Sequence, residues 1–214
     1  MKYIIMCGGP KCMDPNPVHF TNLNGERILQ RTVNLLRDNG INDIAITTSG
    51  QGYDVFGVPV IEYNSNKAPY HWVNAFYLVN KPVCYIFGDV FFSKQAIRTI
   101  VETETDSIEF FASAPPFHPS FIKRFAEPFA YKVVDNKYFA DCVERVKQLQ
   151  NEGKFRRGAI AWELWQVIKG TPLNRIDYTN YTKINDFTCD IDVPQDAATL
   201  ITLINNYGLL KEDI

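Results

Sequence analysis

Short apolar runs alternate with amphipathic stretches along the whole chain. A continuous apolar run indicates a strand buried on both faces, whereas apolar residues three or four positions apart indicate a helix. The first pattern predicts strands over residues 2–7, 43–48, 58–62, 82–87, 108–113 and 131–134. The second predicts helices over residues 26–39, 69–80, 93–104, 138–152, 160–169 and 194–206. This alternation predicts an α/β domain with a mostly parallel sheet.

Several residues mark where these elements begin and end. Gly40 stands where a helix needs a left-handed residue after its C-terminus, and Ser93 stands where a helix needs an N-cap. Pro194 suits the first turn of the last helix. Asp135 and Asn136 predict a turn after the strand that precedes them. Because no Gly/Ser-rich or Pro-rich linker divides the chain, we predict one domain.

Composition and charge exclude several classes of function. The 214 residues are 46% hydrophobic and 21% charged, which is enough apolar surface for one sizeable core. The net charge of −2 argues against nucleic acid as the main partner. No apolar run is long enough to span a membrane, and the apolar start of the chain is too short for a secretory signal. Five cysteines without a CxxC pair indicate reduced core thiols and a cytoplasmic protein.

Candidate chemistry lies where predicted strands end, because α/β sheets bind ligands beyond the carboxyl ends of their strands. The first strand leads into Met6-Cys7-Gly8-Gly9, whose small residues allow a ligand to approach backbone N–H groups closely. The segment lacks both the GxGxxG pattern of dinucleotide-binding proteins and the P-loop pattern. The alternative interpretation is a simple tight turn.

Acidic residues occupy two further positions of interest. Asp89 follows Gly88 directly after the predicted strand over residues 82–87, and Asp190 and Asp192 alternate before the last helix. Alternate residues of an extended segment point the same way, so Asp190 and Asp192 are expected to form a carboxylate pair. Carboxylates are ligands that Mg²⁺ shares with phosphate oxygens. Asp196, in the first turn of the helix, is explained by a structural role at the positive helix end.

In their order and spacing, these segments resemble the nucleotidyltransferase superfamily with a GT-A-like fold. This superfamily includes sugar-phosphate nucleotidylyltransferases, MobA-like enzymes and CTP:phosphocholine cytidylyltransferases. Residues 4–9 are similar to the family's IILAAGxGxR opening, and residues 25–41 are similar to its GxPLLxRxxxxLxxxGI helix. Residues 43–48, 88–89 and 190–197 are similar to its DIxVVT strand, its central Gly-Asp and its closing IDTPEDL.

The resemblance implies a single Rossmann-like (GT-A-like) three-layer domain with a mixed, mostly parallel sheet. Residues from 1 to about 110 would form the nucleotide-binding half, and residues from about 111 to 214 the acceptor-binding half. Asp89 and Asp192 would be catalytic and bind Mg²⁺, and Asp190 would support them or contact the acceptor. The residues implied to bind the nucleotide, mainly through the backbone, are Met6, Cys7, Gly8, Gly9, Thr48 and Gly88.

Three positions depart from the family pattern. Pro10-Lys11-Cys12-Met13 replaces the second glycine and the arginine of GxGxR, and Lys11 is expected to contact phosphate as a point charge in place of that arginine. The lysine of the family's PK motif is missing. His19 lies near its position and is the candidate to bind the acceptor phosphate. Val193 replaces the usual capping Thr.

The second half of the chain supplies candidates for an acceptor pocket. Lys132 and Arg157 are the expected contacts of an acceptor phosphate, and the alternative for each is a solvated surface charge. Neighbouring basic residues are further candidates: Lys123, Arg124 and Arg156. Four aromatic residues are candidates for the wall of that pocket or the face of a homodimer: Tyr70, Trp72, Trp162 and Trp165. The three histidines lack the spacing of a zinc site.

The resemblance thus implies a Mg²⁺-dependent nucleotidyltransferase of the EC 2.7.7 type. A substrate phosphate would attack the α-phosphorus of a nucleoside triphosphate, CTP being favoured, with release of pyrophosphate. The expected acceptor is a phosphorylated small molecule used for a capsule or other cell-envelope precursor. Two alternatives stay open. One is a GT-A glycosyltransferase, against which the missing second acid of a DxD motif counts, and the other is a non-catalytic nucleotide- or sugar-binding relative.

Overall fold

A sheet of seven strands organises the chain. The computed structural model describes residues 1–8, 12–13, 16–23, 25–63, 73–113, 126–155 and 161–206. Its strands in chain order are β1 (Lys2–Cys7), β2 (Cys12–Met13), β3 (Asn16–Pro17), β4 (Asn22–Leu23), β5 (Glu26–Arg27), β6 (Ile44–Thr48), β7 (Val60–Glu62), β8 (Val83–Phe87), β9 (Val90–Phe91), β10 (Ile108–Ala112), β11 (Pro128–Val133), β12 (Thr182–Lys183) and β13 (Cys189–Asp190). Its helices are α1 (Ile28–Asp38), α2 (Lys94–Glu102), α3 (Asn136–Asn151), α4 (Ala161–Lys169) and α5 (Pro194–Asn206).

The large sheet runs in the order β12-β10-β11-β8-β1-β6-β7. Its neighbouring strands are parallel, except that β11 is antiparallel to both β10 and β8. The prediction of a mixed, mostly parallel sheet is therefore confirmed. Because β7, β6, β1 and β8 are parallel neighbours, their carboxyl ends lie at one edge of the sheet.

Helices cover both faces of this sheet. In β1, Tyr3, Ile5 and Cys7 pack into a core that contains residues of α1 and α2, whereas Ile4 and Met6 pack into a second core that contains residues of α3 and α4. A strand buried on both faces imposes this alternation. The three-layer prediction is confirmed. Helix α5 belongs to a third, smaller core beside β9 and β13.

Two predicted helix ends are present. Gly40 follows α1 with φ +77°, and Ile41 N–H donates to the Leu36 carbonyl at 3.0 Å, which closes the helix end. The hydroxyl of Ser93 accepts from Ala96 N–H at 2.9 Å and so caps α2. Both residues could be recognised in the sequence because helix capping depends only on neighbouring residues.

The turn predicted at Asp135 and Asn136 is instead the start of α3. The Asp135 carboxylate accepts from Tyr138 N–H at 2.9 Å, which is the bond of an N-cap. Aspartate bonds nearby backbone N–H groups equally well in a turn and at a helix start. The local sequence therefore does not distinguish the two.

The helix predicted over residues 69–80 is wrong in the part that the structure describes. Val73–Ala75 forms one short 3₁₀ turn, and residues 76–80 form no helix. Side chains from the sheet satisfy this backbone: Thr47 donates to the Ala75 carbonyl at 2.8 Å and Tyr85 donates to the Tyr77 carbonyl at 3.0 Å. Val73, Ala75 and Phe76 pack into the core without helical spacing, whereas Tyr77 and Leu78 are exposed, so the helix-like pattern was misleading.

Burial also corrects the proposed role of two tryptophans. Trp162 and Trp165 both pack on Phe110 inside the core, and the Trp162 indole N–H donates to the Ala126 carbonyl at 2.7 Å. They therefore form neither a pocket wall nor a dimer face. Two other candidates for that role lie outside the described residues: Tyr70 and Trp72.

The prediction that the cysteines are unpaired core thiols is confirmed where the structure describes the side chain. Four residues are buried free thiols: Cys7, Cys84, Cys142 and Cys189. The side chain of Cys12 lies outside the described part of the chain. Within the described ranges, no helix has the length and apolar character needed to cross a bilayer.

Candidate functional site

The predicted ligand-binding edge forms where β1, β6 and β8 end. Met6 is paired with Phe87 on β8, and Cys7 is paired with Thr48 on β6. Gly88 N–H then donates to the Met6 carbonyl at 2.9 Å. These bonds place the Met6-Cys7-Gly8 segment directly beside Gly88, as the positions of both motifs after parallel strands predicted.

Gly88 occupies a position that has no room for a side chain. A Cβ atom there would lie 2.6 Å from the Cys7 sulfur, 2.8 Å from the Met6 carbonyl oxygen and 3.2 Å from Cδ2 of His19. Glycine is therefore required by close packing rather than by its backbone angles. The half-buried Asp89 follows directly, and this packing fixes where its backbone lies.

The second acidic segment meets Asp89 through a short antiparallel ladder. In this ladder Asp190 of β13 pairs with Val90 of β9. The bonding continues beyond the ladder, because Ile191 N–H donates to the Asp89 carbonyl at 2.9 Å. Asp190 is half-buried and Asp192 is exposed. The structure thus brings together two motifs that are about 100 residues apart in the sequence.

Asp196 has the structural role that the sequence predicted. Its Oδ2 accepts from Val193 N–H at 3.1 Å and from Asp192 N–H at 2.9 Å. This arrangement satisfies the backbone at the start of α5, where Val193 has no capping side chain. Asp196 therefore holds the backbone of Asp192, and its own oxygen is engaged in doing so.

The Cys7 thiol lies beneath this junction and has low reactivity. Burial, reinforced by the neighbouring Asp89 carboxylate, holds the pKa of Cys7 well above its usual range. A neutral thiol is a poor nucleophile and a poor metal ligand. The contribution of Cys7 to the site is consequently its backbone and its packing against Gly88.

Gly8 is overlaid by the segment that follows β7. A Cβ atom built on Gly8 would overlap the Tyr63 hydroxyl and lie 2.9 Å from Cβ of Ala75. Gly8 is half-buried, whereas Met6 and Cys7 are buried. A ligand can therefore reach the backbone at Gly8 more readily than at the two residues before it.

Two predicted contact residues are buried. The His19 ring is only 1% exposed and shares a hydrogen bond of 2.7 Å between its Nδ1 and the Tyr53 hydroxyl. Thr48 is 0% exposed, and its hydroxyl accepts from Gly50 N–H at 2.9 Å. In this conformation neither side chain can touch a ligand. His19 is thus corrected from a contact residue to a support beneath the site, whereas a backbone contact of Thr48 with the nucleotide stays a prediction.

Lys132 is also corrected. Its side chain is 6% exposed, and its ammonium group donates to the carbonyls of Ile100, Val101 and Thr103 at 3.1, 2.9 and 2.6 Å. These carbonyls belong to the C-terminal end of α2, where a cation is favoured by the helix dipole. Burial lowers the pKa of Lys132. All three donors are used, so the predicted acceptor-phosphate role is wrong.

Comparison with known proteins identifies the fold. No family model and no curated protein match the sequence. The inositol-1-phosphate CTP transferase from T. maritima is 13% identical, with a TM-score of 0.56 over 95% of this chain and 96% of that chain. CTP:phosphocholine cytidylyltransferase from Streptococcus pneumoniae is 17% identical, with a TM-score of 0.54 over 95% and 98%. A Bacillus anthracis protein assigned as a glucose-1-phosphate thymidylyltransferase is 16% identical, with a TM-score of 0.62 over 95% and 94%. This chain has the nucleotidyltransferase fold.

Within this nucleotidyltransferase fold, some predicted site residues lie outside the part that the structure describes. These are Gly9, Lys11 and Arg157, together with the further basic candidates Lys123, Arg124 and Arg156. Their proposed roles stay predictions. The roles of Met6, Cys7, Gly8, Gly88, Asp89, Asp190 and Asp192 also stay predictions, but the structure places these seven residues around one edge of the sheet.

Sequence reasoning missed one residue of the candidate site. Glu127 is a buried carboxylate whose Oε2 accepts from Asp190 N–H at 3.0 Å. It precedes Pro128 in a stretch that has neither helical nor strand periodicity, so nothing in the local pattern distinguishes it. An acidic residue beside an irregular segment is ordinarily a surface residue.

Proposed function

We propose that this chain is a nucleotidyltransferase that transfers a nucleoside monophosphate, CMP being favoured, to a phosphorylated small molecule with release of pyrophosphate. The observation that carries the proposal is the junction of Gly88-Asp89 with both Met6-Cys7-Gly8 and Asp190-Ile191-Asp192. It combines the half-buried backbone at Gly8 with Asp89, which follows a central parallel strand, and with the acidic segment that the β9–β13 ladder brings beside it. This is where α/β sheets bind phosphorylated ligands.

The donor chemistry at this junction fits Mg²⁺. Asp89 and Asp192 supply carboxylate oxygens, which are the hard ligands that Mg²⁺ prefers. Among the described residues, no group of three or more histidine, cysteine or acidic side chains could hold a metal by itself. We therefore propose that Asp89 and Asp192 would hold Mg²⁺ together with substrate phosphates. When bound, the ion would neutralise charge on the phosphates.

The remaining residues of the junction would bind and orient the substrate. Gly8 carries no side chain and is half-buried, so a nucleotide would approach the backbone there, whereas the buried Gly88 packs against Cys7 and supports this segment. The bond between Gly88 N–H and the Met6 carbonyl holds the two segments in register. This rigidity favours in-line attack by an acceptor phosphate, because a preorganised site does not have to be ordered during the reaction.

The choice of substrate is the less determined part of the proposal. Two of the similar structures are named as CTP-using enzymes, one acting on inositol 1-phosphate and the other on phosphocholine. They support CTP and a sugar phosphate or head-group phosphate. A cytoplasmic role in making a cell-envelope precursor follows from the same proposal.

The direct test is pyrophosphate release. The purified protein is incubated with Mg²⁺, each of the four NTPs and a panel of phosphorylated sugars and head groups. Asp89→Asn is expected to lower kcat/KM at least about a hundredfold, because charge stabilisation at a phosphate contributes several kcal/mol. Asp106→Asn is the matched control, since Asp106 is an exposed aspartate in the turn before β10.

Three outcomes distinguish the alternatives. Pyrophosphate release that is lost in the Asp89→Asn variant supports the proposal. Nucleotide binding without pyrophosphate release from any pair of substrates indicates a non-catalytic relative. Release of a nucleoside diphosphate from a nucleotide sugar indicates a glycosyltransferase, and either of these last two results overturns the proposal.

A further inference from the structure

We propose that Glu127 is a positioning residue, which fixes the Asp190–Asp192 segment against Asp89 and thereby sets the affinity of the site for its divalent cation. This inference rests on the proposed function for its link to the cation. Its structural part, the control of the Asp190–Asp192 segment, stands on contacts alone.

The first observation is that Glu127 is itself rigidly held. Its side chain and backbone are only 5% exposed. Its N–H donates to the Ser113 hydroxyl at 2.9 Å, and its carbonyl accepts from Ser113 N–H at 2.9 Å. This pair of bonds fastens the residue at the point where β10 ends and β11 begins. A carboxylate on such a support has little freedom to follow a moving partner.

The second observation is the bond that Glu127 makes. Its Oε2 accepts from the backbone N–H of Asp190 at 3.0 Å. In the next residue, Ile191 N–H donates in the other direction, to the Asp89 carbonyl at 2.9 Å. Successive N–H groups of an extended strand point to opposite edges. The segment is consequently held from both sides, by Asp89 on one edge and by Glu127 on the other.

The third observation is the shortness of the ladder that this bond supports. Strands β9 and β13 contain two residues each. A ladder of this length is weak without additional support. Without the Glu127 carboxylate, the Asp190 N–H would lose this acceptor, which is unfavourable for a donor that the fold has partly removed from water. Glu127 is therefore a principal restraint on where Asp192 lies relative to Asp89.

The chain offers a matched comparison in Glu109. Its Oε1 accepts from Thr182 N–H at 3.1 Å and from the Thr182 hydroxyl at 2.8 Å. This is the same kind of carboxylate-to-backbone bond, but it holds β12 rather than β13. Glu109→Leu and Glu127→Leu therefore remove equivalent bonds from different strands. Glu127→Gln retains an acceptor oxygen and serves as the conservative variant.

The test uses two measurements on the full chain. The first is amide hydrogen exchange without metal or nucleotide. Glu127→Leu is expected to accelerate exchange at residues 190–193 by tenfold or more, Glu127→Gln much less, and Glu109→Leu only around residues 182–184. The second is Mn²⁺ binding by electron paramagnetic resonance in the presence of CTP. Glu127→Leu is expected to raise the apparent Mn²⁺ dissociation constant by about 10–100-fold, as changes that misalign ligands do.

The outcomes separate this inference from the proposed function. Unchanged exchange at residues 190–193 in a folded Glu127→Leu variant overturns the inference, whatever the activity. Faster exchange with unchanged Mn²⁺ affinity, while the unmodified chain binds Mn²⁺, also overturns it, because Glu127 then has a merely structural role. Absence of Mn²⁺ and CTP binding in the unmodified chain overturns the proposed function, and the exchange result remains to decide the structural part. If Glu127→Leu does not fold, the smaller Glu127→Ala, which also lacks the acceptor oxygen, is measured in its place, and exchange and Mn²⁺ affinity equal to those of the unmodified chain then overturn the inference.

Discussion

The substitution Gly88→Ala tests whether close packing at the end of β8 positions the site. The added Cβ would lie 2.6 Å from the Cys7 sulfur and 2.8 Å from the Met6 carbonyl oxygen. Unbonded heavy atoms prefer separations of about 3.5–4.0 Å, so the overlap approaches 1 Å. The Met6 oxygen cannot withdraw easily, because it accepts from Gly88 N–H at 2.9 Å and belongs to a central strand.

The expected cost lies at the upper end of the range for overpacking a core, about 3 kcal/mol. A chain of this size loses about 2–4 °C in Tm for each kcal/mol, so a decrease of roughly 6–12 °C is expected. Urea unfolding followed by circular dichroism measures the free energy of unfolding, and differential scanning calorimetry measures the Tm. Apparent CTP affinity should decrease as well, since Asp89 is displaced with its neighbour.

Two controls separate packing from other effects of losing a glycine. Gly153→Ala places a Cβ with no atom within 4 Å, at φ +67°, so it should cost only the strain of a left-handed backbone, about 1–2 kcal/mol. The double variant Cys7→Ala/Gly88→Ala removes the sulfur that the new methyl meets. Its loss of unfolding free energy should be smaller than the sum of the losses in the two single variants, by about 1 kcal/mol or more. If the free energy of unfolding of Gly88→Ala lies within 0.5 kcal/mol of that of the unmodified chain, the packing argument is wrong. It is also wrong if the effects of the two substitutions in the double variant are simply additive.

Three further predictions concern polar groups in other parts of the fold. Lys132→Met should lower the free energy of unfolding by about 2 kcal/mol, because the carbonyls at the end of α2 lose a charged donor. It should leave the KM for the acceptor unchanged. A raised KM would restore the rejected acceptor role. Burial raises the pKa of Cys84 from its ordinary 9.0 to about 12. The folded chain keeps this thiol neutral, so its contribution to the free energy of unfolding is fully present below pH 9 and is lost as the pH rises towards 12. Cys84→Ala should make the decrease of stability over that pH range less steep. An equally steep decrease in the variant would contradict the assignment. Asp196→Ala should cost about 1 kcal/mol and raise the Mg²⁺ concentration needed for half-maximal activity, whereas Asp196→Asn, which keeps an acceptor oxygen, should retain most of both; an equal effect of the two variants would refute this role.

The central strands could be predicted from the sequence because each is long and apolar on both faces. β1, β6 and β8 lie within one or two residues of the predicted bounds. The two-residue strands β9, β12 and β13 could not be predicted, because a segment of two residues has no periodicity. Their pairing depends on contacts across about 70–100 residues of chain, and no local pattern carries that information.

The candidate site could be predicted from the sequence only where a local pattern marks its residues. Gly88 and Asp89 stand out because they follow a strongly apolar strand, and Asp190 and Asp192 stand out because acids cluster before a helix. Lys132 was misassigned to the acceptor phosphate, because the local sequence does not show that the carbonyls at the end of α2 lie beside its ammonium group. Glu127 was missed because it acts through a hydrogen bond to Asp190, which lies 63 positions away in the sequence.

The sequence by itself determined the central strands, two helix ends and the chemical groups that follow the central strands, because strand burial, helix capping and the small size of glycine act over a few neighbouring residues. Tertiary structure alone decided that Glu127, which no local pattern distinguishes, holds the backbone of the segment that carries Asp192. Asp89 and Asp192 are similar to Asp196 and Glu127 in chemistry, yet Asp196 and Glu127 accept hydrogen bonds from the segment that carries Asp192. The physical reason is that a carboxylate takes its role from the donor that the fold brings within about 3 Å of it.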